Sequence, residues 1–476
     1  MPLRPPALRG VRRVVDSALA HCRMKAEARP VMRSITPILL AKARNRGRWL
    51  ATAVLLAALA VGCSPQGSAP LETPTTTLPL PTLVAVTSVP SEAPAPVSSL
   101  RGSVSIWTAW EAVEVAALSE LLDEFQQQHP HAQVRLSYYR DAELLEAFQA
   151  AAAAGQGPTI LLGPSDWGPQ LLRDGLIEDV ASRLLSEQRE SIPERVWSQV
   201  TSGGAVLGLP VRLRGVVLYR NRALAPQPAA SFEDLLARAA EASTRYAAEP
   251  VFDLGFEFSG AQLTACGGTL LRAGGGLAFD EPTGICWLGL LSRFRQVGRP
   301  VFDSTADRAT FIAGHSPWLI DTTDALPEIV QALGAENVSV DAWPATEADE
   351  LQLSGYVWTD NAYLATGATQ ADFEASWALI SLLIGPEEQA RHAQAEGSWF
   401  LPVIKTVQPR ETLVAQAQQV LFDNTAMPLA TNLEVYTVPL ERAVSSVVGQ
   451  AGDPSEALRR ATEIIYNELT QSPPGG

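Results

Sequence analysis

Lysine is nearly missing: Lys25, Lys42 and Lys405 are the only three in 476 residues. None follows a glycine, so no glycine-rich phosphate loop ending in Gly-Lys-Ser/Thr exists and the chain is not itself a P-loop ATPase. Histidine is scarce too. His21, His129, His131, His315 and His392 form no H-E-x-x-H or comparable zinc spacing, which removes the ligands for metal catalysis. His129-Pro130-His131 falls where a helix turns into a strand and reads as solvated. A G-x-S-x-G nucleophile elbow is also lacking, because Gly314-His315-Ser316 runs into Pro317-Trp318. Positive charge is scarce over most of the length: twelve of the 36 basic residues but only Asp16 and Glu27 among the 51 acidic ones precede residue 49, leaving 24 basic against 49 acidic. Such a surface repels nucleic-acid phosphates and acidic lipid, so a nucleic-acid partner is excluded. No cofactor motif is present, and neither a cofactor nor a metal is expected.

What is there is mostly globular, with 46% hydrophobic and 18% charged residues. The length suits two large lobes plus segments outside any core. The basic front end closes on Arg44, Arg46 and Arg48, followed by the apolar run Trp49 to Val61 and then Gly62-Cys63-Ser64-Pro65. That order is an export signal, with an apolar run too short for a confident membrane span. The 31 residues before Met32 exceed what such a signal needs, so an over-extended start is expected. Leu59-Ala60-Val61-Gly62-Cys63 resembles the lipobox of bacterial lipoproteins, with Ala60 where leucine is usual. The resemblance implies that residues 1–62 are removed and that Cys63 is acylated, anchoring an extracytoplasmic body to the cell membrane through lipid. Residues 63–100 are rich in Pro, Thr, Ser and Ala and read as an extended spacer reaching roughly 100 Å.

The body, residues 101–476, opens with strand and helix in alternation. Ser103 to Thr108 is a β-run, Val115, Leu118, Leu121, Leu122 and Phe125 follow helical spacing to Gln128, and Val134, Leu136 and Tyr138 alternate as a second strand. A second helix carries Leu144, Leu145 and Phe148. Gly155-Gln156-Gly157-Pro158 breaks before the buried strand Thr159 to Gly163. This is an α/β pattern, whose ligands bind beyond the carboxyl ends of the strands, here the loops Ala109 to Glu111 and Pro164 to Trp167.

Segments spread over the body carry a further resemblance: SVSIWTAW, GQGPTILLGPSDWGPQLLRDGLIEDV, GLPVRLRGVVLYRNRAL, ACGGTLL, ATFIAGHSPWLI, SWALISLLIGPEEQARHA, GSWFLPV and DPSEALRRATEIIYNEL. In this order and spacing they resemble the extracellular solute-binding proteins of ABC transporters, in the maltose-binding-protein-like group. The resemblance implies a two-lobed periplasmic-binding-protein-like fold (type II, each lobe a mixed sheet flanked by helices), with a hinge and an interlobe cleft. Lobe 1 would hold about 101–210 and 355–406, and lobe 2 about 211–343 and 407–476, with crossovers near Pro210, Pro344 and Thr406 to Pro409. It also implies a monomer that is no enzyme, binds a sugar or oligosaccharide, and delivers it to membrane permease subunits whose ATPase lies on separate chains.

A sugar cleft asks for carboxylate, amide and guanidinium partners for hydroxyls, and for flat aromatic faces under pyranose rings. The candidates are Trp110 and Glu111 after the first strand, and Asp166 and Trp167 after the third, where the family places an acidic contact. Asp166 could instead cap a helix. Arg212 and Arg214, expected in a loop after the first crossover, would share one side of an extended segment and could bind an anion or form a surface ion pair. Glu257 and Phe258, with Ser259, precede the ACGG segment, and Asp321 and Thr322, with Thr323, follow SPWLI. Tyr356, Trp358, Trp399 and Tyr436 are aromatics that the family brings toward cleft or hinge, with packing between helices as the alternative. Trp107 and Trp318 fall within strands and read as core. Cys266 and Cys286 would close a 20-residue loop if oxidised, or lie buried as free thiols. An anionic or phosphorylated solute, a ligand sensor and, last, a glycoside hydrolase using two of Glu111, Asp166, Glu257 and Asp321 remain as alternatives.

Overall fold

A computed structural model describes residues 98–246, 250–272, 275–302 and 305–471. The expected export signal, Cys63 and nearly all of the expected spacer lie outside the described residues. Three strands start the body: β1 (Gly102–Thr108), β2 (Ala132–Tyr138) and β3 (Ile160–Pro164). β1 pairs in parallel with both, Gly102 opposite Ala132 and Ile106 opposite Ile160. Parallel neighbours need a crossover, and two amphipathic helices supply it. In Ala112–Gln128, Leu118, Leu121, Leu122 and Phe125 are buried on one stripe. Asp141–Ala153 buries Leu144 and Phe148, and stops where Gly155 takes φ 69, the left-handed step that ends many helices.

A tight hairpin, β4 (Thr201–Ser202) and β5 (Ala205–Val206), turns on Gly203 and Gly204. It leads into β6 (Leu209–Asn221), a strand of 13 residues that organises the molecule. The expected crossover at Pro210 is not a break. Pro210 sits inside β6 opposite Asn361, beside a register irregularity where a missing N–H is tolerated. The first part of β6, Leu209 to Gly215, pairs antiparallel with β11 (Tyr356–Leu364), which pairs on to β3. From Val216 onward it pairs instead with β9 (Trp318–Thr322) and β10 (Val338–Asp341). β7 (Val251–Asp253) and β8 (Arg299–Val301) form a separate parallel pair, and β12 (Thr425–Ala426) joins the start of β11. The sheet order is β10-β6-β11-β3-β1-β2, one sheet that serves as two because β6 passes from one lobe to the other.

The change of partners falls at Gly215, where a Cβ would stand 2.4 Å from the Tyr356 carbonyl oxygen and 2.5 Å from Leu421 Cδ2. No other residue lets the crossing strand lie so close to its neighbours. Helix Gln370–Leu383 covers β1 on the first lobe, while Thr412–Asp423 packs on β6 and β10. Helices Glu281–Ser292, Glu434–Val444 and Pro454–Gln471 pack together in the second lobe. Trp197, Trp287, Trp318 and Tyr363 are among the largest fully buried side chains. Trp318 is a core residue, as its place in a strand suggests. Cys266 and Cys286 form a disulfide with Cα atoms 5.9 Å apart, fastening the Gly260–Leu271 segment to helix Glu281–Ser292. No helix among the described residues is long and apolar enough to cross a membrane.

Candidate functional site

Five chain segments converge where the lobes meet: the turn after β3, the middle of β6, the centre of β11, and the segments that follow β7 and β9. Their carboxylates and guanidiniums determine what the cleft can do.

Asp360, on β11, is 2% exposed and holds the centre. It accepts from Arg212 Nε at 2.9 Å and Arg212 NH2 at 2.5 Å, from Arg214 NH1 at 3.3 Å, and from the indole N–H of Trp110 at 3.1 Å. Desolvation alone would raise its pKa, but the two guanidiniums override it and hold the carboxyl below its usual range. Arg212 also reaches Glu114 at 3.3 Å. Burial raises the Glu114 pKa against the pull of Arg212. Arg214 turns toward the second lobe and donates from Nε and NH2 to Asp324. Burial would lower the Arg214 pKa, but Asp360 and Asp324 keep it raised and the guanidinium firmly charged. The arginines are thus strand residues, not loop residues. Their fork geometry is spent on Asp360, Glu114 and Asp324, and they are not left open for a ligand anion.

Asp166 and Glu257 differ from these. Asp166 lies in the turn after β3, open to solvent yet crowded by protein, and desolvation raises its pKa while bonds from its own and the Trp167 N–H, and the charge of Arg214, act against this. Glu257, on the one-turn helix Phe256–Ser259 after β7, is likewise open and likewise raised by desolvation, with Arg214 opposing. Arg214 is within electrostatic reach of both. A chain of buried hydrogen bonds fixes the Asp166 turn: Tyr363 OH donates to the Pro164 carbonyl at 2.7 Å, Asn361 donates to Tyr363 OH at 3.0 Å, and Ser165 donates to Gln199 Oε1 at 3.0 Å. Gln199 in turn donates to the Met427 carbonyl at 2.8 Å.

A recess of about 1030 Å3 opens at the start of β11, its walls including Gly260, Thr264, Tyr356, Met427, Asn432 and Tyr436 together with the guanidinium-bearing Arg173 and Arg272. Tyr356 and Tyr436 are 2% and 5% exposed, so they offer edges and hydroxyl groups instead of broad faces. The Tyr436 OH accepts from Gly276 N at 3.3 Å. The Phe256 ring lies 6.2 Å from the Tyr356 ring, joining the recess to the helix that carries Glu257.

Other sequence candidates are placed elsewhere. Trp110 is 3% exposed, with Phe400 and His392 at its edges and Arg212 over its ring at 5.4 Å. Its ring supports the Asp360 cluster and presents no stacking face. Asp321 is 3% exposed and bound by Arg308 at 2.6 and 2.9 Å, so its acceptors are used inside the lobe. Thr322 is half-buried at the end of β9, and its carbonyl accepts from Tyr219 OH. Glu111 is exposed at the start of helix Ala112–Gln128. Trp167 is half-buried, its ring lying against Gly163 so closely that a Cβ there would come within 2.4 Å of it. Phe258, Trp358 and Trp399 are half-buried against the main core. Sequence reasoning missed Asp324, Asp360 and Glu114. The available signal was a pair of arginines in one apolar strand and an aspartate in another, because buried charge of one sign demands the other nearby.

A family model described as bacterial extracellular solute-binding protein matches residues 120–421. A maltotriose-binding protein from Pyrococcus abyssi is 23% identical over 134 residues, 28% of this chain and 29% of its own length. The chain therefore matches under a third of that relative. Among solved structures, a cyclo/maltodextrin-binding protein complexed with maltotetraose superposes with a TM-score of 0.69 at 17% identity, over 78% of this chain and 98% of that one. The cyclic alpha-maltosyl-1,6-maltose binding protein from Arthrobacter globiformis gives 0.69 at 16% identity, over 78% and 100%. With the family model spanning most of both lobes and the two-lobed fold shared over nearly the whole of these structures, the chain belongs to the bacterial extracellular solute-binding protein family.

Proposed function

We propose that this protein is the lipid-anchored substrate-binding component of an ABC importer, capturing an oligosaccharide between its lobes and presenting it to the membrane permease. The observation that carries the reading is a recess of about 1030 Å3 walled in part by Gly260, Thr264, Tyr356, Met427, Asn432 and Tyr436, in a two-lobed fold whose open carboxylates Asp166 and Glu257 both lie within electrostatic reach of Arg214. Hydroxyl groups bridging both acceptors favour the closed arrangement, and a solute shifts the lobes only by binding that arrangement better. The recess is at the upper end of the range for small-molecule pockets, roughly 300 to 1000 Å3, and suits several sugar units better than one. The sugars bound by the relatives support the same class. The internal pairing of Arg212 and Arg214 weighs against the anionic-solute alternative. Micromolar affinity, about −8 kcal/mol, would serve capture and release. The ATPase would be supplied by other chains, Cys63 would carry the anchor, and the protein would act as a monomer without catalysis.

The test is a thermal-shift screen of the full chain in mild detergent against neutral oligosaccharides, sugar acids, sugar phosphates and polyols, with product analysis of each hit. A neutral oligosaccharide that raises the melting temperature and is recovered intact supports the reading. Asp166→Ala should weaken its binding by about 1 to 3 kcal/mol, because ligand hydroxyls would be left unpaired in the closed cleft. Cleaved product would replace the reading with a hydrolase, and a response confined to anions would replace it with the anion binder.

A further inference from the structure

The recess wall carries charge of its own, which narrows the ligand class within the oligosaccharide reading above and rests on that reading. Residues 49–476 hold 24 basic against 49 acidic side chains, yet the charged residues of this wall are Arg173, Arg272 and Glu468, two cations to one anion. They arrive from separate parts of the chain. Arg173 ends the helix Gly168–Arg173 that follows the Asp166 turn, Arg272 follows the segment that the Cys266–Cys286 disulfide fastens, and Glu468 lies on the last helix, Pro454–Gln471. A turn fixes the backbone of Arg272 against the recess: its N–H donates to the Gly276 carbonyl and its carbonyl accepts from Gly275 N, both at 3.0 Å, while Gly276 N donates to the Tyr436 OH. Neither guanidinium is neutralised. Among the described residues the Arg272 side chain has no hydrogen-bond or ion-pair partner, and Arg173 donates only to the uncharged amide oxygen of Gln170. Glu468 is within ion-pair distance of neither. Arg212 and Arg214, by contrast, spend their forks on Asp360, Glu114 and Asp324. An unspent fork matches the two oxygens of a carboxylate. Such a pair contributes little while it stands in open water. A sugar chain that fills the recess displaces that water and weakens the screening, whereas a lone small anion covers nothing.

We propose that Arg173 and Arg272 are specificity residues that make the recess prefer acidic oligosaccharides, sugar chains bearing a ring carboxylate, over neutral chains of the same length. The chain supplies the hydroxyl and apolar contacts, so neutral oligosaccharides still bind, and the carboxylate adds charge-assisted hydrogen bonds from the guanidiniums. One arginine follows the β3 turn and the other a segment packed in the second lobe. An acidic ligand that meets both therefore also favours the arrangement that brings them together.

The experiment titrates the full chain in mild detergent calorimetrically at about pH 7, where a carboxylate is ionised, with four probes: a galacturonic acid trimer, its fully methyl-esterified form, maltotriose and free galacturonic acid. The acid trimer should bind about tenfold more tightly than its ester, and added salt should erode the difference. Free galacturonic acid should bind weakest. In Arg173→Gln and in Arg272→Gln, changes at exposed positions, the ratio of acid to ester affinity should fall at least about threefold. Binding of the ester as tight as that of the acid trimer, or a ratio that either variant leaves unchanged, overturns this inference and leaves the oligosaccharide reading standing. Binding of maltotriose with neither galacturonic trimer does the same. Free galacturonic acid binding as tightly as the acid trimer overturns the inference and replaces the oligosaccharide reading with a small-anion binder. Binding of none of the four overturns both.

Discussion

Removing the Asp360 carboxylate is the most revealing single change. Asp360→Ala deletes the acceptor of four hydrogen bonds and leaves Arg212, with only 14% of its side chain exposed, and Arg214, with 24%, each short of one charge partner. Breaking a buried ion pair by removing one member costs about 3 to 5 kcal/mol, chiefly because the remaining charge stays desolvated. Glu114 and Asp324 still hold one side of each guanidinium, which places the expected loss near the low end, about 3 kcal/mol. Asp360→Asn keeps an acceptor oxygen but not the charge and should lose less, about 2 kcal/mol, the range for hydrogen bonds to charged groups. Replacing the pair together, Arg212→Met with Asp360→Leu, should cost less than the sum of the single changes, since neither member is left facing a lost partner, although Glu114 loses its guanidinium and Arg214 one of its two carboxylates. Urea unfolding followed by circular dichroism at neutral pH reads all three as midpoint shifts at constant slope. The sign with pH is fixed as well. The Asp360 pKa is held below its usual 3.8 in the folded protein, so its contribution is present above about 3.8 and lost as the pH falls through the lower folded value. A loss below about 1 kcal/mol for Asp360→Ala would refute the view that the buried cluster stabilises the pairing of β6 with β11.

Three further outcomes can be measured on the same preparation. Cys266→Ser with Cys286→Ser opens a loop of 20 residues and should lower stability by about 3 kcal/mol on the chain-entropy account, with weaker ligand binding because the Gly260–Leu271 segment forms part of the recess wall; unchanged melting and affinity would refute the clamp. Burial pushes Asp307 up to about 7 and His392 down to about 4, so in acid their effects oppose: stability from Asp307 falls as pH rises from about 4 to 7, whereas stability from His392 falls as pH drops from about 6.5 to 4. Asp307→Asn should therefore leave a curve that rises with pH and His392→Phe one that declines, and unchanged curves in both would refute the assignment. Gly215→Ala should cost at least about 2 kcal/mol, because its Cβ meets backbone that cannot yield, and a neutral result in thermal unfolding would show that the crossing strand has slack.

Several elements were legible from local pattern alone. The helix ending at Gln128 and the strands that flank it follow directly from apolar spacing and from the His129-Pro130 break, since periodicity is a property of the chain. The turn after β3 was legible for the same reason, because a short buried strand in an α/β chain points its carboxyl end at the ligand side. The arginines of β6 were not placed correctly. Pro210 suggested a break, whereas the strand runs through it beside a bulge and changes partners only at Gly215, a fact that depends on β9, β10 and β11 arriving from more than a hundred residues away. Trp110 likewise looked like a stacking surface, and its ring is instead packed against Phe400 and bonded to Asp360, a partner 250 residues distant.

The sequence by itself determined the class of the protein: an acidic α/β body with motifs in the order of one family. It determined the local elements too, because hydrophobic period, glycine and proline act within a few residues. Only the tertiary structure decided which charges were free. Arg212, Arg214, Asp166, Glu257 and Asp360 have the same chemistry as isolated residues. Which of them neutralise one another and which face the cleft depends on strand register and lobe placement, and the energy of a charge is set by what lies within a few ångströms of it.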